Sequence, residues 1–478
     1  MRSHSRATLA AKFLSACILF ALIGCSSRAD ASAGRRATSS AGSAAEASIS
    51  GQRVVVPGSS GQPISSKLQY VVVIYLENHS FDNLYGEFDG ANGLSNSART
   101  ATQVDREGKP FDFLPTPPGG AFPRDLPNKP FDIEKYVPLD AKTPDLVHRY
   151  YQEQEQIDGG KMDKFAAISD AKGLVMGYYH TGNLPLVIEA QRNTLCDNFF
   201  HAAFGGSFLN HIYFISTRAP VFPNAPERFR AKLDDHGNRL RDGEVTPDGY
   251  VVNTMFTVNS PHPRGVPKDA LVPEQTFATI GDRLSDKHVT WAWYSGGWDD
   301  AIAGHPDRLF QYHHQPFAYF ANYADGTPGR EEHLKDEGDF IAAAHAGKLP
   351  SVSFVKPLGE LNEHPGYANV KSGEDHAEEL LNILRSSPEW KSMAVIITYD
   401  ENGGFWDHVA PPVIDKWGPG SRVPALVISP FAKHGYVDHT FYDTSSILAL
   451  IEHRWGLEPL TERDAKANDM GGAFDFNQ

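Results

Sequence analysis

Residues Tyr70 to Gly86 read YVVVIYLENHSFDNLYG. The apolar run from Leu68 to Leu76 is too continuous for a half-exposed strand and suits one buried on both faces. It breaks off at Glu77-Asn78-His79-Ser80, where a carboxylate, an amide and an imidazole follow one another. Such residues at a strand end either cap the next turn and helix or build a site.

A second strand end matches the first. Met393 to Tyr399 is apolar and ends in Asp400-Glu401-Asn402, followed by Gly403-Gly404. In open α/β sheets ligands bind beyond the carboxyl ends of the strands. Carboxylates gathered there repel one another unless they are protonated or share a cation. Glu77, Asn78, Asp400 and Glu401 therefore make a candidate site for one divalent metal ion. Their oxygens suit Ca, Mg or Mn, and Zn or Fe remain open.

Other β-rich runs lie at Val289–Tyr294, Ser351–Val355 and Val423–Ser429. Helical patterns lie at Gln275–Lys287, His376–Arg385 and Thr444–Trp455. Alternation of strands and helices predicts an α/β sandwich with a largely parallel central sheet. Residues 217–272, rich in Pro, Asp and Gly, read as a surface insertion or cap.

Cys196 to Ser216 reads CDNFFHAAFGGSFLNHIYFIS. Gly205-Gly206 permits a tight turn, and Ser207 opens an apolar, helix-like run. A serine there is either an N-cap or a nucleophile beside free N–H groups that attract phosphate. Leu209 stands where a GxSxG elbow has its last glycine, which argues against an ordinary serine hydrolase. Among 20 histidines, His148, His313, His314, His364, His376 and His408 sit in motif-like settings. Imidazoles supply both the donors and the leaving-group acid that phosphoryl transfer requires.

The chain has 478 residues, 41% hydrophobic and 22% charged, with net charge -15. This balance excludes a basic nucleic-acid footprint. Residues 1–24 carry basic residues and then the apolar core Phe13–Ile23, the pattern of an export signal too short to span a membrane. Leu22-Ile23-Gly24-Cys25 is similar to a lipoprotein cleavage box, which would place a lipid on Cys25 and hold the protein at a membrane, in the periplasm or at the outer membrane. Cleavage near Ala31 or Ala33, giving a secreted form, is the alternative. Residues 25–66 are rich in Ser, Ala and Gly and read as a flexible tether, leaving 67–478 as the folded domain. Only Cys196 lies in that domain, so it has no internal disulfide.

Six motifs occur in order: ENHSFDNLYG, HRYYQEQEQIDGGKMDKF, MGYY, CDNFFHAAFGGSFLNH, NEHPGYANVKSGEDH and TYDENGGFWDHVAPP. Together they resemble the bacterial phosphoesterase family of phospholipases C and respiratory-burst-inhibiting acid phosphatases. The resemblance implies an alkaline-phosphatase-like α/β fold. It implies Glu77, Asn78, Asp400 and Glu401 as metal ligands. Ser207 becomes the nucleophile that is phosphorylated and also touches the metal. His148, His364 and one of His313 and His314 become phosphate contacts, whereas His79 and Asp82 support the turn. Phospholipases C of this family have a GPTxPNR-like segment where this chain has GGSFLNH, a departure that points to the acid phosphatase branch and phosphomonoesters. Cleavage of phosphatidylcholine-type diesters is the alternative activity. A ligand-binding surface lipoprotein without activity is the alternative of another class, opposed by the presence of every carboxylate and of Ser207. The signature of formylglycine sulfatases is absent around Ser207.

Overall fold

The computed structural model describes residues 64–119 and 121–478. The predicted export signal, Cys25 and nearly all of the tether lie outside the described residues. In chain order the elements that frame the site are β1 (Tyr70–Leu76), α1 (Tyr150–Ile157), β2 (Thr194–Cys196), α2 (Ser207–Ser216), α3 (Ile280–Asp286), β3 (Trp291–Ser295), β4 (Leu334–Asp336), α4 (Glu337–Ala346), β5 (Val352–Lys356), α5 (Val370–Ser386), β6 (Met393–Tyr399), β7 (Ala425–Ile428), β8 (Tyr436–Asp438) and α6 (Thr444–Trp455).

The eight strands form one sheet in the order β4-β3-β5-β1-β6-β7-β2-β8. From β4 to β6 every pair is parallel, while β7 runs antiparallel to both β6 and β2. The central strands β1, β5 and β6 are buried almost end to end, as parallel strands covered on both faces require. Neighbours along a strand point to opposite faces. Trp293 of β3 packs on Phe214 and His211 of α2, and the next residue, Tyr294, packs on Phe340 of α4. Helices thus cover both faces of the sheet, and the fold is the expected three-layer α/β sandwich.

Register brings the two strand ends together. Leu76 pairs with Tyr399, so Glu77 and Asp400 leave the sheet side by side, and the Asp400 N–H donates to Leu76 O at 3.1 Å. The helix expected from Gln275 begins only at Ile280, because Thr279 and Asp282 form a reciprocal cap there. The helix expected from His376 begins earlier, at Val370, capped by Asn369. Within 217–272 lie two short two-stranded pairings, Lys232–Leu233 with Arg239–Arg241 and Phe256–Thr257 with Leu271–Val272, and the 3-10 turns Glu227–Phe229 and Lys268–Ala270. This segment leans on α1 through Arg239–Glu155 at 2.6 Å and Gln152–Asp242 at 2.9 Å. Among the described residues, no helix is long and apolar enough to cross a membrane.

Candidate active site

A cleft of about 420 Å³ opens at the carboxyl ends of the central strands, lined by Glu77, His148, Ser207, His313, His364 and Tyr367 among others. Each reaches it from a different part of the chain. Glu77 follows β1, His148 lies just before α1, Ser207 opens α2, and His364 and Tyr367 follow β5. Asn78, Asp400 and Glu401 are fully buried beside the cleft, Asn78 Nδ2 lying 3.5 Å from His148 Nε2.

Ser207 is the first residue of α2, and Gly206 before it supplies no side-chain cap. The helix N-terminus therefore keeps free N–H groups beside the seryl oxygen. The turn tolerates only glycine. Gly205 has φ of +86°, and a Cβ there would lie 2.5 Å from Tyr150 N; a Cβ on Gly206 would lie 2.7 Å from His148 O. The Ser207 hydroxyl donates to Glu401 Oε1 at 3.4 Å, and Asn78 Nδ2 donates to the same oxygen at 2.5 Å. Glu401 Oε2 accepts the Gly403 N–H at 2.5 Å. Asn78 holds a φ of +81°, strained for a residue with a side chain, which places its amide across to Glu401.

The histidines divide by role. His313 lines the cleft. His314 points instead at Glu77, with its Nε2 close against Glu77 Oε1, and its ring stacks on His211 with centroids 5.1 Å apart. His364 stacks on Tyr367 at 4.1 Å and donates from Nδ1 to Pro365 O at 2.5 Å, which leaves Nε2 for the cleft. His148 stands 5.5 Å from it, ring to ring. Two other motif histidines lie elsewhere. His376 bonds Glu337 at 2.7 Å, and His408 bonds Asp82 at 2.7 Å. Asp82, Asp407 and the fully buried Arg422 form a paired cluster under the first motif, with Arg422 Nε donating to Asp407 at 2.9 Å. His79 is buried between Asn83 and Glu363 O, at 2.6 and 3.1 Å. Both His79 and Asp82 thus make structural contacts.

Three residues at the site were not singled out by the sequence. His211 sits one helical turn after Ser207, and its Nδ1–H donates to Ser207 O at 2.8 Å. That spacing of four within a helix was the available signal. Lys356, the last residue of β5, is fully buried with Nζ 2.9 Å from Glu77 Oε1. Tyr367 donates its hydroxyl to Glu77 Oε2 at 2.9 Å.

The electrostatics are those of crowded, desolvated carboxylates. Burial, opposed by Lys356 and reinforced by Glu77, pushes Asp400 up to about 7. Burial and then Asp400 push Glu401 well above the ordinary range. For Glu77 burial acts upward too, yet His314 and Lys356 outweigh it and hold the carboxyl well below its usual value. Burial takes His314 down to about 4. Burial also lowers His313 and His364.

The residues fit a metal ion. Asn78 Oδ1, Asp400 Oδ2 and His211 Nε2 are buried and have no hydrogen-bond partner among the described residues. Glu77, His211 and His314 place ligand atoms within 4.8 Å of one another. Buried acceptors left unpaired are costly, and a cation satisfies several of them at once while relieving the repulsion between Asp400 and Glu401.

A phosphoesterase family model matches residues 68–458. Phospholipase C B of Mycobacterium tuberculosis is 25% identical over 453 residues, covering 86% of this chain and 78% of that protein. The non-hemolytic phospholipase C of Pseudomonas aeruginosa is 25% identical over 454 residues, covering 86% of this chain and 57% of that protein. Among solved structures, a Vibrio parahaemolyticus protein in the alkaline phosphatase superfamily aligns at 12% identity with a TM-score of 0.35, over 71% of this chain and 74% of that one. A match across most of the folded chain, over a cleft of serine, histidines and carboxylates, assigns it: the chain belongs to the phosphoesterase family and is a hydrolase acting on phosphate esters.

Proposed function

We propose that the protein hydrolyses phosphomonoesters through a phosphoserine at Ser207, with the aid of one divalent metal ion. The observation that carries this reading is the position of Ser207, at an uncapped helix start beside Glu401 and at the edge of a cleft it shares with three imidazoles. Glu77, Asn78, Asp400, Glu401 and Ser207 would hold the ion, with His211 as a further donor. When bound, it neutralises charge on the phosphoryl oxygens and favours the seryl alkoxide.

The protein's own groups supply the rest. The α2 N-terminus and the cleft imidazoles His148, His313 and His364 offer donors to the free phosphoryl oxygens. Ser207 Oγ attacks phosphorus, its proton passing towards Glu401, as the bond to the ester oxygen breaks. His364, with Nδ1 committed to Pro365 O, delivers a proton from Nε2 to the leaving oxygen. Water then cleaves the phosphoserine and releases phosphate. Burial lowers the His364 pKa, so its protonated fraction grows only as pH falls. Turnover limited by that proton rises towards acid pH, which supports an acid phosphatase.

A second reading, a phospholipase C cleaving phosphodiesters, rests on the relatives, several of which are phospholipases C. Hydrolysis of p-nitrophenyl phosphate and of p-nitrophenylphosphorylcholine separates the two. The monoester reading expects the first to be turned over with the larger kcat/KM; a preference for the choline diester replaces it with the second reading.

The export signal and the Cys25 box support an exported lipoprotein, held at a membrane by lipid on Cys25. Labelled fatty acid incorporated into wild type and lost in Cys25→Ser is the expected result. A mature N-terminus beyond Ala33 contradicts the anchor.

A further inference from the structure

The second motif, HRYYQEQEQ, brings His148 to the cleft, yet its most thoroughly bonded residue lies away from the cleft. Glu153 of α1 is 1% exposed and does not line the cleft. Its Oε2 accepts the Gly205 N–H at 2.6 Å. Its Oε1 faces His201 Nε2 at 2.9 Å and accepts the Ser421 N–H at 2.9 Å and the Ser421 hydroxyl at 3.1 Å. The other nitrogen of His201 donates to Ala203 O at 2.8 Å. His201 Nε2 also lies 3.0 Å from the Ser421 N–H, so Glu153, His201 and Ser421 close into one buried polar cluster.

A buried acid–imidazole pair of this kind is a weak source of stability, because desolvation opposes any charge on it. Its placement says more. One carboxylate grips His201 and Gly205, and through His201 it reaches Ala203, all in the six residues that lead to Ser207. The same helix follows directly from His148, whose carbonyl lies against Gly206. We propose that Glu153 is a positioning residue that fixes the Gly205-Gly206 turn, and with it the line of attack of Ser207, relative to His148. This rests on Ser207 being the nucleophile.

Two substitutions distinguish position from charge. Glu153→Asp keeps the charge but is one methylene too short to hold Gly205 and His201 together. Glu153→Gln loses the charge but keeps the side-chain length and an oxygen for the Gly205 N–H; its amide turns towards His201 Nε2, and the Ser421 N–H and hydroxyl lose the oxygen they shared. If Glu153 acts by position, Glu153→Asp lowers kcat on p-nitrophenyl phosphate about 10²-fold, the scale of a misplacement near 1 Å, and KM stays within about threefold of wild type. Glu153→Gln then stays within about tenfold of the wild-type kcat. A stabilising charge predicts the reverse order, with Glu153→Gln the more damaged. Rates are normalised to the folded fraction by circular dichroism, and phosphoserine formation is followed by rapid quench. A Glu153→Asp variant that phosphorylates Ser207 at the wild-type rate overturns the proposal, as does a Glu153→Gln variant that falls as far as Glu153→Asp. If Ser207→Ala remains active, the nucleophile reading fails first. If Ser207→Ala is inactive while Glu153→Asp is normal, only the role of Glu153 falls.

Discussion

Ser207→Ala retains its fold, measured by circular dichroism and thermal unfolding, while turnover of phosphate esters falls below about one per cent of wild type. The fold survives because Ser207 contributes little to it. Its hydroxyl makes one long contact, 3.4 Å to Glu401, and it caps no helix, since the N-cap position belongs to Gly206. Turnover does not survive because the step that splits one difficult displacement into two needs an oxygen at that point. The remaining donors still bind and polarise the ester, so a trace of direct attack by water persists. Activity above a few per cent, with the fold intact, removes Ser207 from the nucleophile's role.

Chelation of the purified protein abolishes activity, and restoring a divalent ion recovers it. Asp400→Asn lowers ion affinity by about 10²-fold or more, beyond what loss of an outer-shell partner costs. The ion also competes with protons. Without it Asp400 titrates at about 7 rather than at its ordinary 3.8, and Glu401 is raised too. Ion binding therefore releases protons, and affinity falls as pH drops below about 7. The same shift has a sign for stability. A carboxyl whose folded pKa is raised stabilises the ion-free fold at low pH, and that contribution is lost as pH rises from the unfolded value through about 7. The rise in Tm on adding the ion is thus larger at pH above 7 than in acid. Calorimetric titration in buffers of different ionisation heat counts the protons, and equal affinity across this range contradicts the placement of the ion among these carboxylates.

Local sequence was enough to read what depends on adjacency. The buried runs Tyr70–Leu76 and Met393–Tyr399 announced central strands, and the polar residues after each announced a site at their ends. The parallel register of β1 and β6, which puts Glu77 beside Asp400, was implied by those matching ends. Features created by packing between distant segments were not legible. Lys356 is one residue past an ordinary apolar run, and nothing nearby shows that its ammonium meets Glu77. The pair His313-His314 looks symmetric in sequence, yet the short turn at Tyr312–His314 points one ring into the cleft and the other at Glu77. The short strands β2, β4 and β8 have three residues each and too little pattern to detect. Glu153 lies in a run of polar residues, and only the fold shows it buried against Gly205.

Quenching wild-type protein during turnover of p-nitrophenyl phosphate, in acid and in alkali, and mapping the phosphoryl group by peptide mass spectrometry identifies the nucleophile itself. One phosphoryl group on the peptide carrying Ser207, stable in acid and absent from Ser207→Ala, is the result expected. Turnover with Ser207 unmodified, or an acid-labile phosphoryl group on His148, His313 or His364, contradicts it.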